Sequence, residues 1–149
     1  SFIMAPTFKT VYDDAIKPLS KNEITSEEAY DVGIKPIRQF MLEQTNTKDI
    51  RMFIDIAKVD TSTLKDYDDI PIQVLIPSFI VSELRIAFII GFLIYIPFII
   101  IDMVVSSALM SMGMMMLPPT TISLPFKILL FIMADGWNLV IGNLVKTFY

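Results

Sequence analysis

The stretch "IAFIIGFLIYIPFIII", residues 86–101, runs for sixteen residues without a charge. Counted from Ser78, the apolar segment is long enough for a helix of roughly 20 residues or more, which would cross a hydrocarbon core about 30 Å thick. Gly91 and Pro97 fall inside it, but both residue types are tolerated in membrane helices and are expected to bend this one. The segment therefore predicts a membrane helix and an integral membrane protein.

Charge is distributed unevenly on either side of this stretch. The 149 residues include 12 Lys and Arg and 16 Asp and Glu, which gives a net charge of −4. All but four of these charges precede residue 86, and the four that follow are Asp102, Lys127, Asp135 and Lys146. With 54% hydrophobic residues and a mean hydropathy of +0.60, the chain is too apolar for an ordinary soluble domain. We therefore expect an acidic, water-facing part joined to a part built for lipid or for a protein-lined membrane interior.

The composition excludes several classes of function. The sequence holds no cysteine and no histidine, which removes disulfides, thiolate chemistry, the commonest metal ligand and the usual general base. The acidic balance offers no basic face for nucleic acid. The five glycines are scattered, and neither a phosphate-binding glycine loop nor a G-x-S-x-G motif is present. We predict no enzymatic activity, no metal and no cofactor.

Residues 7–70 are predicted to form a small helical soluble domain. Thr25-Ser26-Glu27-Glu28 fits a capping box, with a hydroxyl at the N-cap and a glutamate three residues later. Pro36 should break or kink the helix that precedes the apolar face of residues 37–44. A further amphipathic helix is indicated by apolar residues at i, i+3, i+4 and i+7, which are Ile50, Phe53, Ile54 and Ala57.

Two shorter segments complete this half of the chain. The polar connector "TSTLKDYDDIP" contains Asp66, Asp68 and Asp69, but it lacks the glycine and the distal glutamate of a calcium loop. We interpret it as a solvated loop. Residues 1–6, "SFIMAP", are interpreted as the end of a preceding apolar helix in a fragment that lacks its true N-terminus.

The apolar half, residues 71–149, is predicted to form two helical hairpins. The first pairs residues 78–101 with 102–116, and the second pairs the segments around 124–134 and 136–147. Proline disfavours the helical conformation in the residue before it, so Leu117 and Pro118 should end a helix near Met116. Ser123 is expected to cap the next helix, with Pro125 in its first turn.

The charges inside the apolar half are candidate site residues, because an ionisable group at the centre of a membrane helix costs at least about 2.5 kcal/mol. One hypothesis is that Asp102, Lys127 and Asp135 form a proton or ion relay, as in a small transporter. The other is that Lys127 pairs with a carboxylate on a neighbouring helix and fixes the register of the two helices. We favour the structural pair, since a relay usually has polar partners on several helices. Glu83 and Arg85 are expected near one end of the first membrane helix.

Five methionines fall within residues 110–116, at the start of "MSMGMMMLPPTTISLPFK". Methionine has three rotatable bonds and fills irregular space, so it specifies a rigid core poorly. The cluster indicates a surface that stays apolar while its shape changes. The alternative is that these methionines only fill a core between helices.

Three long motifs in fixed order resemble the FliP family of flagellar type III export gates. They are "IPSFIVSELRIAFIIGF" at residues 76–92, "IDMVVSSALMSMGMMMLPPTTISLPFK" at 101–127 and "LLFIMADGWNLVIGNLVKTF" at 129–148. The related SctR/SpaP family of injectisomes shares the methionine-rich and DGW motifs, but "ISLPFK" and the ending "GNLVKTFY" are more similar to the flagellar branch. One departure is Ile89, which follows Ala87-Phe88 where family members commonly carry a polar residue.

The resemblance implies a non-enzymatic pore subunit that passes unfolded flagellar proteins across the bacterial cytoplasmic membrane. It implies a cleaved signal peptide and further apolar helices before residue 1, with residues 7–70 on the periplasmic side. It also implies a pentameric ring of copies in the basal body, assembled with FliQ-like and FliR-like subunits and fed by FlhA and FlhB. Within that ring, Met114, Met115 and Met116 would form a gasket around the pore. Pro118 and Pro119 would end the helix and hold these methionines on a short loop.

Two other functions remain open from the residues. A small ion or solute transporter would use Asp102, Lys127 and Asp135. A structural membrane scaffold would use its methionines for packing alone.

Overall fold

The computed structural model describes residues 2–113 and 117–149, and the described residues contain helices and turns but no strand. Within these ranges the α-helices are α1 (Ala5–Val11), α2 (Lys17–Ser20), α3 (Ser26–Gln44), α4 (Thr47–Ala57), α5 (Ile72–Ser111), α6 (Pro119–Met133) and α7 (Gly136–Lys146). A π-helical turn, Tyr12–Ile16, joins α1 to α2, and 3₁₀ turns form at Thr61–Thr63 and Tyr67–Asp69. The all-α prediction is confirmed for the part of the chain that is described. The chain divides into two compact units at Ile86, the first ending there and the second beginning at Ala87.

In the first unit, α3 begins at the predicted capping box, which is confirmed. Thr25 Oγ1 accepts the backbone N–H of Glu28 at 3.3 Å, and Glu28 Oε2 accepts the backbone N–H of Thr25 at 2.9 Å. The backbone N–H of Thr25, followed by its side chain, stabilises the Glu28 carboxylate and holds the pKa of Glu28 below its usual range. The cap thus satisfies donors that a helix start otherwise leaves unpaired.

Pro36 was expected to break or kink this helix, and the break is absent, because α3 continues through it to Gln44. Proline removes one backbone donor, but packing on both sides of it holds the helix together. Gly33 lies against the π-helical turn, where an added Cβ would come within 3.2 Å of the Ala15 Cβ. Met41, one turn beyond the proline, is buried in the core.

The core of the first unit gathers residues from α3, α4, the connector and the start of α5. Its buried members are Met41, Ile50, Ile54, Ile70, Val74 and Leu75. Phe40 and Phe79 add an edge-to-face contact with ring centroids 6.1 Å apart. The predicted amphipathic helix is confirmed as α4, with Ile50 and Ile54 facing inward. The first turns of α5 therefore contribute to this core, whereas the sequence analysis assigned residues 71–149 as a whole to the apolar half.

The connector between α4 and α5 uses its carboxylates to bind its own backbone. Asp69 Oδ2 accepts the N–H groups of Lys65 and Asp66 at 3.0 and 3.2 Å. Arg38 of α3 donates to the carbonyl oxygens of Asp68 and Ile70, which ties the connector to that helix. Such local capping accords with the solvated loop that was expected.

The turn expected between residues 101 and 102 is wrong, because α5 runs unbroken from Ile72 to Ser111. At about 1.5 Å per residue, its 40 residues extend roughly 60 Å. Asp102 does not end the helix, since its carboxylate finds partners on α6 while its backbone stays helical. The helix ends before the expected Met116, and Gly113 follows it with a φ of +72°.

The second expected hairpin is also wrong. Pro118 has an extended backbone and Pro119 is the first residue of α6, where a missing N–H costs nothing. The helix therefore starts one turn before Ser123, which becomes an internal residue instead of the N-cap, and Pro125 lies inside the helix too. After Met133 the chain bends by 60° into α7, so the two helices do not fold back on each other.

Among the described helices, α5 is long and apolar enough to cross a membrane. The most apolar part of α5 is not buried within the chain. The helices α6 and α7 are long and apolar enough to cross a membrane only if the bent pair forms one broken span.

Candidate functional site

The second unit contains a polar cluster that joins α5 to α6. Asp102 lies on α5, and its Oδ2 is 2.8 Å from Lys127 Nζ on α6. Its Oδ1 accepts the hydroxyl of Ser123 at 2.6 Å, one turn before Lys127 on the same face of α6. Ser123 is fully buried, while the side chains of Lys127 and Asp102 are 21% and 26% exposed. The carboxylate thus has a separate donor for each oxygen.

This cluster ties together the two helices that flank the methionine run. Asp102 precedes the end of α5, and Lys127 follows the start of α6, each by about two and a half turns. The segment between the helices carries Met114, Met115 and Met116, the predicted gasket, and these three lie outside the described residues. Lys127 therefore has the carboxylate partner on a neighbouring helix that was expected of it. Its structural role remains a prediction.

Asp135 does not join this cluster. It lies at the bend between α6 and α7 in a left-handed conformation, with a φ of 52°, which aspartate tolerates better than most residues. Its Oδ2 accepts the side-chain amide of Asn138 at 3.1 Å. In the described part of the chain it forms no ion pair with Lys127, so the three charges of the relay hypothesis are not brought together.

Each residue of the DGW motif, Asp135-Gly136-Trp137, contributes differently to the bend between α6 and α7. Asp135 takes the left-handed turn, and Gly136 begins α7 directly against the ring of Phe131. A Cβ at Gly136 would lie 2.5 Å from two ring carbons, a distance that real contacts do not show. Trp137 then packs edge-to-face on Phe131, with ring centroids 5.3 Å apart and an interplanar angle of 90°.

The first unit holds a second polar cluster, and the sequence analysis missed its central residue. Arg85 of α5 donates to Asp49 of α4 at 2.5 Å, so it forms an ion pair between two helices. Asp49 is 2% exposed and also accepts the hydroxyl of Ser82 at 2.6 Å. That hydroxyl, followed by Arg85, holds the pKa of Asp49 below its usual range although burial opposes the shift. Glu83, on the same stretch of α5, is half-buried.

A signal for Asp49 was present in the sequence. Asn46 and Asp49 have the spacing of an N-cap residue and its N3 carboxylate, and Ser78, Ser82 and Arg85 recur on one helical face. Either pattern is common by itself. Only their proximity in the fold makes them one cluster.

Comparison with known proteins agrees with the motifs quoted above. A sequence profile of the FliP family matches residues 1–144 of the 149. The chain belongs to the FliP family.

FliP relatives from distant bacteria align over nearly the whole chain. The flagellar biosynthetic protein FliP of Bacillus subtilis is 52% identical over 147 residues, covering 99% of this chain and 66% of the relative. The FliP of Buchnera aphidicola subsp. Baizongia pistaciae is 52% identical over 148 residues, covering 99% of this chain and 41% of the relative. The FliP of Pectobacterium carotovorum is 47% identical over 148 residues, covering 99% and 57%. The chain thus spans less than two thirds of the length of these relatives, and family membership together with α5 indicates a membrane protein.

Proposed function

We propose that this chain is a non-enzymatic, pore-forming subunit of the flagellar type III export gate. In that role it passes unfolded flagellar proteins across the bacterial cytoplasmic membrane, and the run Met114–Met116 seals the channel. The observation that carries the proposal is the membership of the FliP family, whose relatives are named for flagellar biosynthesis.

The polar cluster of the second unit supports a gate built on the methionine run. The two helices on either side of the sealing methionines must stay in register, and the Asp102–Ser123–Lys127 contacts supply directional bonds for that purpose. Thioethers exclude water and offer a passing chain no strong hydrogen-bond partner. A ring of them can close at rest and repack around cargo of different sizes.

The proposed setting is the flagellar basal body. Copies of the chain form a pentameric ring with FliQ-like and FliR-like subunits, and FlhA and FlhB deliver the cargo. Residues 7–70 form the water-facing domain on the periplasmic side, and residues 71–149 contribute to the channel. The exposed apolar surface of α5 supports burial against lipid or neighbouring subunits, because none of its most apolar window is covered by its own chain.

Replacing Met114, Met115 and Met116 by alanine tests the seal. Cells with the triple variant in an otherwise intact gate should leak small ions, because the constriction loses most of its apolar bulk. Met52→Ala and Met133→Ala are the controls, since these methionines are 43% and 77% exposed, one in each unit. Met41 is unsuitable as a control because it is buried in the core. A triple variant that assembles fully and stays as tight as the parent refutes the gasket.

The transporter alternative has less support. A relay needs charges that can exchange a proton or an ion, whereas Asp102 and Lys127 neutralise each other and Asp135 bonds locally to Asn138. The names of the relatives favour the flagellar branch over the injectisome branch.

A further inference from the structure

Asp49, in the first turn of α4, is a buried carboxylate that the proposed channel does not use. Its two oxygens accept from different donors, Ser82 Oγ at 2.6 Å and Arg85 Nη2 at 2.5 Å. Both donors lie on α5, one turn apart. The carboxylate therefore joins α4 to α5 through donors that are 33 and 36 residues further along the chain.

Ser82 also completes the N-terminal cap of α4. In an ordinary capping box the N3 carboxylate accepts the N–H of the N-cap residue directly. Here the N-cap residue is Asn46, and its N–H donates to Ser82 Oγ at 2.9 Å, while the Ser82 hydroxyl donates to Asp49. A side chain from within α5 is thus inserted into the N-terminal cap of α4, and the Asn46 N–H depends on it for a partner.

The hydrogen bonds of Asp49 fix the position of α5 relative to α4, which the surrounding apolar core cannot do. Apolar contacts in the core cluster that includes Ile54, Val74 and Leu75 tolerate small slides or rotations, because the hydrophobic effect has no preferred direction. A shift of α5 by one residue would turn its side chains by about 100° and leave the buried charge of Asp49 unpaired. The polar contacts therefore permit one register of α5 on α4.

We propose that Asp49 is a positioning residue for export: through Ser82 and Arg85 it locks α4 onto residues 72–85 of α5. This inference rests on the proposed function, since an assembly of identical copies requires every copy to present α5 in the same register. The lock itself is a property of the first unit alone.

Asp49→Asn is the sharpest variant. It keeps the shape of the side chain, but the amide has a single acceptor oxygen and turns its NH₂ group toward one of the two donors. An ordinary cap residue would tolerate asparagine, whereas this site should not. Asp55→Asn is the matched control, because Asp55 is an exposed carboxylate on the same helix.

Ser82→Thr and Ser82→Val form a second pair with nearly equal bulk. Only threonine retains the hydroxyl that links Asn46 to Asp49. If added bulk alone disturbs the site, both variants fail together. If the hydroxyl matters, the threonine variant keeps the parent's behaviour and the valine variant loses it.

The measurements are amide hydrogen exchange in the purified full chain and secretion of flagellar proteins by a host that lacks its own copy. In the Asp49→Asn and Ser82→Val variants, amides at the start of α4 should exchange at least about tenfold faster, because a buried group has lost its partner. Secretion should fall severalfold in the same two variants and stay at the parent's level in Asp55→Asn and Ser82→Thr.

Two outcomes overturn the proposal. Unchanged exchange in Asp49→Asn or in Ser82→Val means that there is no lock. Faster exchange with normal secretion means that the lock does not position the chain for export. If the parent itself supports no secretion, the proposed function fails, while the exchange data still decide whether the lock exists.

Discussion

Asp102 and Lys127 are two of only four charged residues after Ile86, and each has the other as its ionic partner. Both side chains are about a quarter exposed, so solvent screens the pair less than at a free surface. Ser123 satisfies the second carboxylate oxygen, which leaves neither oxygen of Asp102 without a donor. A pair of this kind contributes more to the choice of one arrangement than to net stability.

Lys127→Met should impair assembly of the gate, because it leaves the Asp102 carboxylate without a counter-charge in apolar surroundings. The loss of stability should be smaller than the roughly 3–5 kcal/mol lost when one partner of a fully buried pair is removed, since both partners here are partly exposed. Adding Asp102→Asn should restore much of the loss, because Ser123 can still donate to the amide oxygen. The yield of intact complex in detergent measures both effects. A double variant no better than Lys127→Met alone contradicts the pairing.

Acid should weaken the first unit through Asp49. The folded pKa of this group lies below its unfolded value of about 3.9, so its stabilisation is complete above that value. It is lost as the pH falls through the lowered folded pKa, when the Ser82 and Arg85 bonds to the carboxylate weaken. The gap in chemical-denaturation midpoint between the parent and Asp49→Ala should therefore narrow below about pH 4. A gap that is constant from neutral to strongly acidic pH would show that the charge of Asp49 contributes nothing.

At the scale of elements, the bend between α6 and α7 shows how two helices are joined within two residues. The left-handed Asp135 turns the chain by 60°, and Gly136 allows α7 to start against the face of Phe131. Trp137 then covers the edge of the same ring. The bend therefore requires the missing side chain of Gly136 as well as the contact between the rings of Phe131 and Trp137.

Gly136→Ala should destabilise the bend, because the new Cβ would lie 2.5 Å from the Phe131 ring. Overpacking of this kind costs about 1–3 kcal/mol. Gly142→Ala is the control in the same helix, where the nearest atom would be 3.9 Å away and alanine favours the helix. Thermal unfolding of the purified protein, followed by circular dichroism, should show a lower midpoint for the first variant alone. Equal midpoints would mean that Phe131 moves aside at little cost.

At the scale of the whole molecule, α5 is twice as long as a membrane requires. Its 40 residues extend roughly 60 Å, against a hydrocarbon core of about 30 Å. The first turns are covered by the core of the first unit, where Val74, Leu75 and Ser78 are almost fully buried. The residues left for lipid or for neighbouring subunits therefore begin near Ile86, where the uncharged stretch begins.

Single cysteines can test this division, since the sequence contains none of its own. Phe92 and Ile56 are similarly exposed within the chain, at 61% and 66%. In native membranes Phe92→Cys should resist a water-soluble maleimide, because lipid or another subunit covers it, while Ile56→Cys should react. Both should react after denaturation. Equal labelling in the membrane would place this part of α5 in water.

The helical class, the division of charge and the family could all be predicted from the amino-acid sequence. Each of these depends on residues that act locally or in sum: the capping box of Thr25, the spacing of Ile50 and Ile54, and the long run without charge. Such features persist whatever the neighbours of a segment are, because propensity, capping and hydropathy act within a few turns. They could therefore be predicted, and the structure agrees with them where they concern described residues.

Contacts between distant parts of the chain determine where helices continue and which charged residues pair. The chain keeps α5 unbroken past residue 101 and α3 unbroken past Pro36, because packing and side-chain partners from other elements hold them. Asp49 meets Arg85, and Asp102 meets Lys127, only because helices distant in sequence lie side by side. The residues next to Asp49 or Asp102 in sequence do not indicate which distant residue will pair with it. Local patterns therefore predicted turns at places where tertiary contacts sustain a helix.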